Sequence, residues 1–223
     1  MNGQRKFVLV VLFAIVSLTY WEGCPFAYNE PDNFGGLKFG QDLTKQMKPC
    51  PFVSLASGAR IADFKKIKAS GARCHFGNFE NDGHYGLFNM GSIEAEVEDV
   101  EADQIDGKLV HVYLGFVPKK TVMFAILEER YGKPTAQWEE PWTAPGSLKV
   151  KTTMKRAEWN GRKVSIKFDQ VDAVSLGNVD FVTDAWMNYQ KSLKAKAQQA
   201  ESEKIKKQAE EKAERIKKAA NGL

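Results

Sequence analysis

The chain has 223 residues, of which 43% are apolar and 27% charged, so it can bury a core of ordinary size, and disorder throughout is excluded. Its net charge of +4 is small and unevenly placed. The three histidines have no HxxxH or HExxH spacing, and GxSxG, phosphate-loop and dinucleotide motifs are missing, which argues against the motif-defined hydrolase and nucleotide-binding classes.

Arg5 and Lys6 precede fifteen uncharged residues, Phe7 to Trp21. This is the basic and apolar pattern of an export signal, and it predicts a signal peptide or signal anchor over residues 1–27. As a helix the run spans roughly 22 Å, short of the roughly 30 Å hydrocarbon core of a bilayer, and no small-x-small cleavage site follows it. Retention and cleavage therefore both stay open. Gly23-Cys24 resembles the end of a bacterial lipoprotein signal and makes Cys24 a candidate lipid anchor, although Trp21 and Glu22 stand where small or aliphatic residues are expected. Either way the positive residues keep the N-terminus inside. The expected location is exported, either periplasmic or membrane-anchored and facing the periplasm.

In such an oxidising compartment Cys50 and Cys74 can pair, closing a loop of about 25 residues and contributing on the order of 3 kcal/mol. Two buried free thiols are the alternative. Neither cysteine lies in a Cys-x-x-Cys pair, so a structural metal is not expected.

The turn-rich residues 28–36 read as a tether, and residues 37–183 as the globular domain. A first strand at Leu37 to Gly40 leads to a short helix at Gln41 to Lys48, broken by Pro49. From Pro51 to Met90, short strands are expected with turns at Ser70-Gly71 and Asp82-Gly83. Ile93, Ala95 and Val97 alternate with Glu94, Glu96 and Glu98, which gives a strand with one buried and one wet face. Asp106-Gly107 is a primed hairpin turn signal, and Leu109 to Val117 is the returning strand. After Pro118, the residues Val122, Met123, Ile126, Leu127 and Tyr131 recur at helical spacing until Gly132 and Pro134.

Thr135 to Gly146 reads as an irregular aromatic loop in which Trp138 and Trp142 flank Pro141 and could form an interaction surface. Leu148 to Trp159 and Arg162 to Asp169 predict two strands joined by a second primed turn at Asn160-Gly161. A last strand at Asn178 to Val182 leads into a long charged helix over residues 184–221. The expected fold is α+β, with an antiparallel sheet of about five to seven strands and one or two packed helices, plus that long C-terminal helix.

Phe34-Gly-Gly-Leu-Lys-Phe-Gly40, Asp106-Gly-Lys-Leu109 and Tyr131-Gly-Lys-Pro134 together resemble a group of small exported bacterial and phage-borne domains of uncharacterised function. The resemblance implies an exported α+β domain and carries over no catalytic residue.

Residues 191–218 hold ten basic and five acidic side chains, against a net charge of −2 for Tyr28 to Gln190. Lys204, Lys206, Lys207, Arg215, Lys217 and Lys218 are therefore candidates for contact with an acidic protein face or an anionic envelope surface. The helix could also support an oligomer. His75, His84 and His111 lack metal spacing, and His111, between Val110 and Val112, is expected to face solvent or a local carboxylate. The carboxylates Glu94, Glu96, Glu98, Asp99, Glu101 and Asp103 read as a wet strand face rather than as catalytic groups. No cofactor, metal or nucleic acid is expected. The resulting reading is a non-enzymatic, envelope-associated binding protein. An exported hydrolase using acidic residues and a histidine, and a structural spacer built on the tail, are the alternatives.

Overall fold

A computed structural model of the chain describes residues 28–77, 83–91, 97–118, 122–144 and 151–220. The segment expected to be an export signal, with Cys24, lies outside these residues, as do Asp82 of one expected turn, the start of the strand expected from Ile93, and residues 145–150.

The hairpin at Asp106-Gly107 forms as its turn chemistry requires, with φ of 51° and 69° at the two residues. It joins β8 (Asp99–Ile105) to β9 (Lys108–Phe116). Gln104 pairs with Leu109 and Asp103 with His111, so Val110 is the extra residue of a β-bulge. The bulge matters for function, because alternation alone would put residues 109 and 111 on one face. Instead Leu109 joins the core with Val112, Leu114 and Phe116, while His111 takes its place on the opposite face.

Around this hairpin the described residues form a sheet of nine strands in the order β10-β11-β12-β13-β9-β8-β7-β6-β3. The remaining members are β3 (Lys48–Pro49), β6 (Cys74–Gly77), β7 (His84–Phe88), β10 (Ala136–Thr143), β11 (Lys151–Trp159), β12 (Val164–Val171) and β13 (Leu176–Thr183). All neighbours are antiparallel except β3 and β6. Two short hairpins stand apart from the sheet, β1 (Asn33–Phe34) with β2 (Leu37–Lys38), and β4 (Phe52–Ser54) with β5 (Arg60–Ala62). Among the described residues four α-helices complete the fold: α1 (Leu43–Gln46), α2 (Phe64–Ser70), α3 (Met123–Tyr131) and α4 (Asp184–Ala220).

The α+β class and the long C-terminal helix match the sequence reading, but five to seven strands and one or two packed helices do not. Two segments account for much of the difference. Thr135 to Gly146 read as a loop because of Pro141, yet β10 is the sheet edge, where a missing backbone donor costs no ladder bond. The stretch around Phe64 read as strand, yet the Asp63 side chain caps the N-terminus of α2 and Gly71, at φ 60°, ends it.

The core lies between one sheet face and α3, whose Met123, Leu127 and Tyr131 are buried at four-residue spacing. Trp159 is fully buried and donates its indole N–H to the Gly132 carbonyl at 2.7 Å. Residues expected as a tether are held to this body. The Tyr28 hydroxyl donates to the Val164 carbonyl, and the Glu30 carboxylate accepts from the backbone N–H groups of Lys163 and Val164. That approach shapes the second hairpin, where neither Asn160 nor Gly161 takes the left-handed φ of a primed turn. A Cβ at Gly161 would lie 2.1 Å from the Val164 carbonyl oxygen, so close packing selects the glycine here.

The disulfide between Cys50 and Cys74 is formed, with Cα atoms 4.8 Å apart. With Ala62 and Ile67 it makes a second small core. Among the described residues no helix is long and apolar enough to cross a membrane.

Candidate active site

On the sheet face opposite the main core, four adjacent strands place their polar side chains in a row. His84 on β7 pairs with Asp103 on β8, and Asp103 pairs with His111 on β9. On β13, His111 faces Val182, which puts Asp180 one diagonal step away on the same face. The side chains connect in that order. His84 Nδ1 is 2.7 Å from Asp103 Oδ1, His111 Nδ1 is 2.7 Å from Asp103 Oδ2, and His111 Nε2 is 2.8 Å from Asp180 Oδ1. Asn178 donates to the other oxygen of Asp180 at 3.1 Å. Glu101 stands 3.6 Å from His84 Nε2 at the solvent end of the row.

His111 is only 8% exposed. Its ring is covered by Trp186 from the first turn of α4, stacked at 4.6 Å between centroids and within 6° of parallel. Thr183 accepts the Trp186 backbone N–H and donates to the carbonyl of the bulged Val110, which ties the helix start to the residue that aims His111.

Burial alone pulls the His111 pKa down, but its hydrogen bonds to Asp103 and Asp180 outweigh this and raise it. Burial likewise pushes Asp103 up, and the hydrogen bonds from His111 and His84 reverse the effect and hold it below the usual carboxylate range. A carboxylate oxygen at each ring nitrogen favours the doubly protonated form of His111, in which neither nitrogen keeps a free lone pair. His111 therefore does not serve as the general base. It clamps Asp180.

Asp180, at the other end of the row, is about a quarter exposed. It lines a cleft of about 240 Å³ with Trp138, Arg156, Glu158, Lys167 and Asp169. Asp169 lies on β12, where it pairs with Asn178, so it is a diagonal neighbour of Asp180 across adjacent strands. Burial pushes the Asp169 carboxyl above its ordinary range, Arg156 pulls it back without cancelling this, and the nearby Asp180 charge raises it further. Arg156 Nε lies between Asp169 at 3.2 Å and Glu140 at 3.3 Å. The cleft thus holds one carboxyl hydrogen-bonded to His111 and, beside it, one whose pKa burial raises and which is ion-paired with Arg156. Two neighbouring carboxyls in such unlike surroundings can divide general base and general acid work.

Of the residues singled out in the sequence, the fold brings His84, His111, Glu101, Asp103 and Trp138 to this face. Trp142 shares the Trp138 face of β10 but does not line the cleft. Lys204, Lys206, Lys207, Arg215 and Lys217 are exposed on α4, with Lys206 4.0 Å from Glu210. The Lys218 side chain lies outside the description. His75 is buried edge-on to Tyr85 in the sheet and its burial lowers its pKa, which suits a neutral packed ring. Among the described residues no group of three or more His, Cys, Asp or Glu side chains is placed to hold a metal ion.

Asp169, Asn178 and Asp180 were missed in the sequence. The available signal was alternation in the last strand, where Asn178 and Asp180 interrupt the buried Val179, Phe181 and Val182. The expectation of a non-enzymatic protein is corrected by the same cluster. It rested on strand acids lying on a wet face, whereas Asp103 and Asp180 bracket a buried histidine in the manner of a catalytic dyad or triad. No protein-family model, curated protein or solved structure matches this chain.

Proposed function

We propose that the protein is an exported hydrolase in which Asp180 activates the attacking water and Asp169 protonates the leaving group. The observation that carries this reading is the Asp103–His111–Asp180 row, centred on a buried histidine and ending in a cleft that also holds Asp169. Asp180 accepts a proton from water as the oxygen attacks the substrate, Asp169 gives its proton to the departing oxygen or nitrogen, and proton exchange with solvent then returns Asp180 to its carboxylate and Asp169 to its acid form. His111 and Asn178 keep Asp180 oriented, Asp103 keeps His111 charged, and Trp138 offers an aromatic wall to the substrate. Lys167, which lines the cleft opposite Asp180 on the neighbouring strand, opposes negative charge developing on the substrate.

Export is supported by the basic and apolar N-terminal pattern and by the Cys50–Cys74 disulfide. The basic tail suits contact with an acidic or anionic envelope component. The test is hydrolysis of a panel of chromogenic esters, phosphate esters, glycosides and anilides by the wild type and by Asp169→Asn. One bond class should be turned over, and its kcat/KM should fall about 100-fold or more in the variant. Turnover by the variant equal to wild type removes Asp169 from the chemistry.

A further inference from the structure

Between the cysteines of the disulfide the chain projects a hairpin that the main core does not use. Every side chain from Phe52 to Ile61 is exposed. Val53 lies opposite Ile61, and the Leu55 backbone N–H bonds to the Ala59 carbonyl, so Val53, Leu55, Ala59 and Ile61 share one face. That face is entirely apolar, with Val53, Leu55 and Ile61 44–47% exposed. Phe64, on the helix that follows, is 66% exposed. The base is rigid. The disulfide, Ala62 and Ile67 pack beneath it, and the Asp63 backbone N–H bonds to the Pro51 carbonyl.

The segment that carries this apolar hairpin has a one-sided charge. From Lys45 to Arg73 there are seven cations and one carboxylate, for a net +6, while the remainder of Tyr28 to Gln190 carries −8. The one carboxylate, Asp63, caps α2 and pairs with Lys66 at 3.5 Å. Lys65, Lys66 and Lys68 are all exposed beside Phe64. A protein partner for a purely apolar face would call for no such surplus. Exposed apolar side chains carried by a cationic segment of an otherwise acidic body instead match a surface that is apolar below and anionic above.

We infer that the disulfide-anchored hairpin over residues 52–61 inserts its Val53, Leu55 and Ile61 face into an anionic lipid surface, with Lys65, Lys66 and Lys68 of α2 on the headgroups. This is independent of the proposed hydrolase chemistry, since none of these residues lines the Asp180 cleft.

The test uses the full chain with Cys24→Ser and Leu55→Cys, labelled at residue 55 with an environment-sensitive fluorophore. A matched Thr143→Cys protein, labelled on the opposite edge strand, serves as reference. On vesicles containing phosphatidylglycerol, emission from residue 55 should shift to the blue and be quenched by nitroxide-bearing acyl chains, with residue 143 unchanged. On pure phosphatidylcholine vesicles, or after Lys65→Glu with Lys66→Glu and Lys68→Glu, quenching should fall several-fold. Three results overturn the inference: residue 55 remaining in water on both vesicle types, equal insertion into both, or a shift that grows with protein concentration or soluble extract without lipid. The last would assign the face to a second copy or a protein partner.

Discussion

Each ring nitrogen of His111 faces a carboxylate oxygen, and this fixes both the charge of the ring and the role open to it. A raised histidine pKa contributes stability that is fully present below the unfolded value of about 6.5 and is lost as pH rises through the folded value. A depressed Asp103 works in the other sense. Its contribution is present above the unfolded value of about 3.9 and is lost as pH falls through the folded value. The stability difference between wild type and His111→Gln should therefore be largest between roughly pH 4 and 6.5 and shrink on the alkaline side. Urea unfolding across pH 3 to 10 measures it, and a difference that stays constant into alkali would mean that His111 is not held charged. Removing the Trp186 ring should act on the same group. Trp186→Ala exposes the imidazolium to water and is expected to cost about 1–2 kcal/mol, with the His111 ring resonances becoming sensitive to solvent exchange.

At the level of elements, what was legible in the sequence was local. Asp106-Gly107 encodes its hairpin, the four-residue spacing of Met123, Leu127 and Tyr131 encodes α3, and the Ala, Lys, Glu and Gln composition encodes α4. Less legible were features decided by neighbours. Pro141 is tolerated only because β10 is an edge, and the bulge at Val110 appears only in the pairing of β8 with β9. Asp180 meets His111 across 69 residues of sequence, a contact that no motif spacing reports. The disulfide is different, because export and cysteine count together implied it and the geometry contains it. Cys50→Ser with Cys74→Ser should lower stability by about 3 kcal/mol from the entropy of the opened loop. A fall in Tm of roughly 6–12 °C is then expected for a domain of this size, and an unchanged Tm would mean that the loop is already constrained in the unfolded chain. Every described side chain from Lys191 to Lys217 is exposed, whereas Trp186 is packed on His111. Truncation after Gln190 should leave the thermal transition within about 2 °C of the full chain. Loss of cooperative unfolding would instead give the outer turns of α4 a part in the core.

Over the whole molecule, charge is segregated into a +6 segment carrying the exposed hairpin, an acidic remainder of the body at −8, and a +5 tail. Long-range attraction of that kind is screened over about 10 Å at 0.1 M salt. Retention on anionic envelope fractions should therefore decline with salt, and truncation after Gln190 should remove the part of the decline due to the tail. Equal retention of the two chains at every salt concentration would remove the tail from surface contact. The acidic body meanwhile keeps its buried imidazolium, and the catalytic proposal turns on what that cation holds in place. The direct measurement is the steady-state kinetics of Asp180→Asn on whichever bond class the wild type hydrolyses. The folded state of the variant is verified by its intact Cys50–Cys74 disulfide and a single cooperative thermal transition. The account predicts a loss of about 10²–10⁴ in kcat with KM little changed, because the amide fills the same space but no longer accepts the proton of water. A folded Asp180→Asn protein with wild-type kcat would contradict it.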